Sequence, residues 1–182
     1  GKVEQLTKGR GNCRYPFWSR DGQWLYYTSN QSGREEIYRV PPPRPGQPLA
    51  EGEQVTPFGG KHAQISPDGR TMLFTGIDLL SYRMTIGLPE SVMKLPGEET
   101  GKPYFIYPPT PGRGTKAYGL LYSGTKMFWG RMDWETLAVE EFAAARFDRN
   151  VALALAGDEM TLLWVQTDDT DTDVMVIGAL GY

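Results

Sequence analysis

Along residues 15–57 short apolar stretches are cut at close intervals by turn-forming residues, the pattern of consecutive β-strands. Tyr15 to Ser19 is apolar and runs into Asp21-Gly22, where Asp bonds its own backbone and Gly takes the positive φ of a tight turn. Gln23 to Ser29 follows, rich in Trp, Tyr and Thr, which fit a pleated, half-buried surface. Asn30-Gln31-Ser32-Gly33 makes a second turn, and Glu36 to Val40 a third strand that Pro41 stops. After a Pro-rich loop, Glu53 to Thr56 forms a fourth, ended by Pro57 and Gly59-Gly60.

This unit repeats. Trp18-Ser19-Arg20-Asp21-Gly22 returns as Ile65-Ser66-Pro67-Asp68-Gly69, with the two Asp-Gly turns 47 residues apart. A worn copy at Ala156 to Val165 stands 90 residues beyond the second, so a further copy belongs near residue 113, where Pro111-Gly112-Arg113-Gly114 leads into Tyr118 to Tyr122. A period of about 45 residues marks stacked supersecondary units, and four antiparallel strands per unit predict an all-β propeller of four blades. The expected blades are 14–57, 61–103, 106–143 and 149–178 of one domain, with residues 1–8 as the outer strand of the last. Such an exchange closes a ring and leaves no blade edge unpaired. A small closed ring and a fragment of a larger propeller both fit. In the second repeat Met72 to Thr75 and Ser91 to Leu95 read as the second and third strands. Leu120 to Tyr122 and Lys126 to Trp129 serve the third repeat, and Leu162 to Gln166 with Asp173 to Ile177 the fourth. Helices or parallel strands across 77–140 would overturn the repeat there.

Composition narrows the function classes. The 182 residues are 40% hydrophobic and 23% charged, ordinary for a globular chain. No apolar run approaches the roughly 18 residues of a membrane span. Residues 1–30 lack the form of a signal peptide, and a chain opening on Gly1 reads as a cut or processed product. The net charge of −3 comes from 19 basic and 22 acidic residues scattered along the chain, with no basic stripe, so no direct nucleic-acid contact is expected. Cys13 is the sole cysteine, which excludes an internal disulfide; it reads as a buried packing residue.

The repeat resembles the TolB-type, WD-like β-propeller repeat of bacterial proteins. The Ser-x-Asp-Gly turns at Asp21 and Asp68 carry the likeness, with Glu36-Ile37-Tyr38-Arg39-Val40 as its Asp-Ile-Tyr-like strand and Gln5-Leu6-Thr7 and Gln54-Val55-Thr56 as its Gln-Leu-Thr ending. It is specific over residues 1–75, thin over 77–140 and returns over 150–178. The resemblance implies a scaffold that presents a loop-built face and a central funnel to a protein or peptide partner, as the C-terminal part of a longer bacterial protein. It implies a periplasmic or otherwise extracytoplasmic place, with the cytoplasm as the alternative. Similar repeats also gate prolyl-oligopeptidase-like hydrolases, the second reading.

Candidate chemistry is sparse. His62 is the sole histidine and no Gly-x-Ser-x-Gly elbow occurs, so no nucleophilic triad is legible and no enzyme activity is expected. A propeller lyase with its own metal site would need several histidines. His62 precedes the first strand of its blade, where loops open onto a funnel, and Arg14-Tyr15 takes the equivalent place one repeat earlier. Arg14, Tyr15, Lys61 and His62 are therefore the candidate binding residues. Asp169, Asp171 and Asp173 start like a calcium loop, but Val174 and Leu180 stand where such a loop needs Gly and Glu, so the run reads as a solvated hairpin turn. No metal or cofactor is expected. Pro42 and Pro45 have Pro-x-x-Pro spacing, read as a stiff surface loop rather than a polyproline ligand. Trp18, Trp24, Phe74, Tyr122, Trp129 and Trp164 read as packing between blades. Oligomeric state is not legible.

Overall fold

A computed structural model describes residues 5–7, 11–44, 46–106, 109–124, 126–145, 153–155, 161–167 and 172–177. Every strand pairing found among them is antiparallel, and the one 3₁₀ turn spans Glu98–Thr100. Across 77–140 the described residues contain no α-helix and no parallel strand pair. The chain divides into two compact units, Gly1–Met93 and Lys94–Tyr182.

The first unit holds two four-stranded sheets. Sheet one is β1 (Cys13–Trp18), β2 (Leu25–Ser29), β3 (Glu36–Val40) and β4 (Glu53–Gln54), in sequence order. Sheet two is β5 (Lys61–Ile65), β6 (Thr71–Thr75), β7 (Ser81–Thr85) and β8 (Leu88–Lys94), again in order. Alternation along the strands divides their apolar residues between faces. Tyr26 and Ile37 of sheet one pack with Ala63, Met72, Phe74 and Met84 of sheet two. On sheet one's other face Leu25, Tyr27, Tyr38 and Val40 form a second cluster, against which Leu6 packs. Both faces of β2 are thus covered, and all five of its residues are buried. Burial of each large side chain contributes about 1.5–3 kcal/mol.

The repeated phrase builds the same turn twice. Asp21 Oδ1 accepts from the Ser19 hydroxyl at 2.6 Å and from the Gln23 amide at 3.0 Å, while Ser19 Oγ accepts from the Trp24 amide at 2.9 Å. Asp68 and Ser66 repeat the set at 2.5, 3.1 and 2.9 Å with the Arg70 and Thr71 amides. Gly22 and Gly69 sit at φ +67° and +73°, which a side chain would strain. The Ser hydroxyls first, then the backbone amides, hold both Asp carboxyls below their ordinary pKa.

Three expectations are corrected. The third strand of the second repeat is Ser81–Thr85; Ser91 to Lys94 belongs to the fourth. Its Ser-Tyr-Arg-Met-Thr sequence carries few of the apolar residues that made Ser91 to Leu95 conspicuous, though Ser81 and Met84 are buried. Cys13 is exposed rather than packed, because it opens β1 at the margin of sheet one. Trp18, at the other end of β1, is 49% exposed and does not pack between sheets, whereas Phe74 and Trp129 are buried.

In the second unit, sheet three contains β9 (Tyr104–Phe105), β10 (Thr110–Pro111), β11 (Lys116–Tyr122), β12 (Met127–Asp133) and β13 (Val139–Ala145). The order is β10-β11-β12-β13, with β9 also paired to β11. The turn expected near residue 113 joins β10 to β11, closed by the Gly112 amide on the Lys116 carbonyl at 2.8 Å. Gly119 leaves room for the Phe105 ring, which a Cβ would meet at 2.9 Å. A further sheet orders β14 (Leu153–Leu155), β15 (Leu162–Thr167) and β16 (Thr172–Ile177). The Asp158 turn and the acidic residues 168–171 lie outside the described residues, as do residues 1–4 and 8 of the outer strand expected at the N-terminus.

Candidate functional site

The pairing of β1 with β2 slips between Arg14 and Phe17, so that two residues of β1 oppose one of β2. The pairing of β5 with β6 slips in the same way between Lys61 and Gln64. The first residue in each bulge is Tyr15 at φ +53° and His62 at φ +52°. Glycine is usual at such a position, and an L-residue there costs about 1–2 kcal/mol. Two successive sheets thus hold the same strain at the same register.

The bulges bring the two residues together. The Tyr15 and His62 rings meet edge to face, with centroids 3.9 Å apart and planes at 87°. Tyr15 remains 45% exposed. His62 Nε2 is buried and finds no hydrogen-bond partner among the described residues. Burial first, then the Lys61 ammonium, pushes the imidazole below its ordinary pKa, with Glu35 opposing. Arg14 is exposed beside them in β1, and Lys61 lies 3.8 Å from a Glu35 carboxylate oxygen. All four candidate residues therefore lie at one end of the first unit, where β1 and β5 begin.

Two features of this end escaped the sequence. Glu36 is fully buried, and its carboxylate accepts from Arg34 Nε at 2.7 Å, Thr56 Oγ1 at 2.7 Å and the Gly59 amide at 2.8 Å. Thr56 Oγ1 in turn accepts from the Ile37 amide, and Arg34 also donates to the Pro57 carbonyl at 2.6 Å. The network ties the β2–β3 turn to the link between β4 and β5. The second feature is a groove of about 440 Å³ lined chiefly by Pro57, Phe58, Phe74, Ile77, Tyr82 and Val92. The Arg34-x-Glu36 spacing was a signal for the network; the groove had none, since its walls come from separate repeats.

In the Pro-rich loop the Gln47 amide donates to the Arg44 carbonyl at 3.1 Å. No cluster of three or more metal-ligating side chains occurs among the described residues. No helix among them is long and apolar enough to cross a membrane.

Comparison with known proteins places the fold. No protein-family model matches the sequence. An uncharacterized protein of Agrobacterium fabrum is 31% identical over 78 residues, 43% of this chain and 26% of that protein. The crystal structure of TolB from Acinetobacter baumannii superposes with a TM-score of 0.69 at 19% identity, over 96% of this chain and 43% of TolB. A puromycin hydrolase gives a TM-score of 0.65 at 14% identity, over 96% of this chain and 28% of the hydrolase. A prolyl endopeptidase gives 0.59 at 15%, over 92% and 27%. The fold is that of the TolB-like β-propellers. The chain spans about a quarter of its Agrobacterium relative and less than half of TolB.

Proposed function

We propose that this chain is a non-catalytic interaction module, the propeller part of a longer bacterial protein, which engages a protein or peptide through the end bearing Arg14, Tyr15, Lys61 and His62. The observation that carries the reading is the pair of matched bulges: Tyr15 and His62 occupy strained backbone at equivalent places in successive sheets, with their rings in contact. Strain of this kind clusters at binding sites because surrounding structure must hold it. In this reading the blades are 14–57, 61–103, 106–143 and 149–178, completed by residues 1–8, and the protein acts outside the cytoplasm. His62 Nε2 accepts from no general acid and donates to no base among the described residues, which favours binding over catalysis.

Site-specific photocrosslinking in the parent protein tests it. Benzoylphenylalanine in place of Arg14 should give a discrete adduct with one partner, and the same residue in place of exposed Gln23, at the opposite end of sheet one, should not. Equal labelling from both positions, or none from either, would discard the reading. An adduct between position 14 and a hydrolase domain of the same parent chain would replace it with a substrate-gating role.

A further inference from the structure

The groove between the β4–β5 link and sheet two has the construction of a binding site. Its volume falls in the range of specific ligand pockets, and its walls are mostly apolar and aromatic. Phe58 and Ile77 line it and yet are 67% and 69% exposed; Leu79, next along the β6–β7 turn, is 68% exposed. Large apolar side chains grouped on a surface mark contact with another molecule. Scattered singly they would mean little, but Phe58 and Ile77 stand on the two rims of one groove.

Both rims are fixed in advance. On one, Glu36 holds the Gly59 amide and Arg34 holds the Pro57 carbonyl. On the other, Asp78 Oδ1 accepts from the Leu80 amide at 3.1 Å, Asp78 Oδ2 accepts from the Tyr82 hydroxyl at 2.8 Å, and the Gly76 amide bonds the Leu80 carbonyl at 2.9 Å. Leu79 is held at φ +65°, an unfavourable conformation for leucine. Gly59 has φ +94° and lies directly under the Ile77 side chain, where any Cβ would collide. Rims held in place this way lower the ordering cost of binding.

Charge selects the occupant. Asp78 is the one charged residue among the described residues that line the groove, and it is exposed. The neighbouring charges are already engaged: Lys61 by Glu35, and Arg34 by Glu36. Among the described residues no cation pairs with Asp78, so the site offers an apolar trough beside a carboxylate. We propose that it receives a partner peptide in which a large apolar side chain is followed by a basic residue, the apolar group entering between Phe58, Ile77 and Val92 and the cation meeting Asp78. This names the chemistry of one subsite of the binding end and rests on that reading.

The test uses the 182-residue chain and three acetylated, amidated tetrapeptides: Gly-Phe-Arg-Gly, Gly-Phe-Glu-Gly and Gly-Ser-Arg-Gly. Binding is followed by methyl NMR at Ile77 and Val92. Gly-Phe-Arg-Gly should shift both methyls and bind about fivefold more tightly than Gly-Phe-Glu-Gly, the scale of an exposed ion pair. Gly-Ser-Arg-Gly should not shift them. Asp78→Asn, which keeps an oxygen for the Leu80 amide, should erase the Arg-over-Glu preference, and Ile77→Lys should abolish binding with the remaining spectrum unchanged. Equal binding of the Arg and Glu peptides, absence of shifts at Ile77 and Val92, or phenethylamine binding as tightly as the Phe-Arg peptide would each overturn the proposal. The crosslink from position 14 reads a different place, so either result can fail alone.

Discussion

His62 spends stability on its position. Its imidazole is held below its ordinary pKa by burial and by Lys61, so the folded chain prefers the neutral ring. The unfolded chain takes up that proton near pH 6.5, and between that value and the lower folded pKa it binds more protons than the folded chain. The stabilisation is fully present above about pH 6.5 and is lost as the pH falls through the folded pKa. Urea unfolding should therefore show stability rising with pH as it approaches about 6.5 from below and levelling off above it. His62→Asn, which tolerates positive φ, should flatten that slope. A slope unchanged by the substitution would remove His62 as its source. Glu36 makes the opposite use of burial, since its carboxylate exists to satisfy donors. Glu36→Ala should cost about 3 kcal/mol, because Thr56 Oγ1 and the Gly59 amide lose their acceptor inside the protein. Urea midpoints at constant m-value check this figure; a loss under about 1 kcal/mol would mean that water replaces the carboxylate.

At the scale of elements, the two Asp-Gly hairpins have matching hydrogen bonds, so equivalent substitutions should have related effects. Ser66→Ala and Ser19→Ala each leave one backbone amide, that of Thr71 or Trp24, without its acceptor. Each should cost about 1 kcal/mol, Ser66 more because it is buried, and the double variant should lose the sum. Strong non-additivity in thermal denaturation would show that the turns are coupled. These hairpins were legible because their geometry is written in contiguous residues: Ser, Asp and Gly stand where hydroxyl, carboxylate and positive φ are needed. Glu36–Val40 was legible to the residue for the same reason. β7 was not, since a strand covered by neighbours can use Ser, Arg and Thr once the sheet supplies its backbone partners. The candidate site was half legible. Repeat spacing aligned Tyr15 with His62, but the bulges that bring the rings together depend on how β1 and β5 pair, and the groove depends on Phe58 and Ile77 meeting across two repeats.

For the whole molecule, charge and exposed apolar surface act on solubility together. The sequence pI is about 5.3 and the net charge at pH 7 is only −3, so a modest fall in pH removes the repulsion between molecules. Over the same interval the neutral His62 becomes a liability to the folded state, while the Asp21, Asp68 and Asp133 carboxyls, all held below their ordinary pKa, stay ionised. Association near pH 5.3 should then proceed through what is apolar and exposed in the folded chain, with Phe58 and Ile77 lining one groove. Light scattering at fixed ionic strength should show a maximum near pH 5.3 and a decline by about pH 4, where protonated carboxylates leave a net positive charge. Ile77→Lys should lower the maximum more than Gln23→Lys, although both add one positive charge and shift the pI equally. Equal effects would mean that net charge alone governs association and that the groove's rims take no part in it.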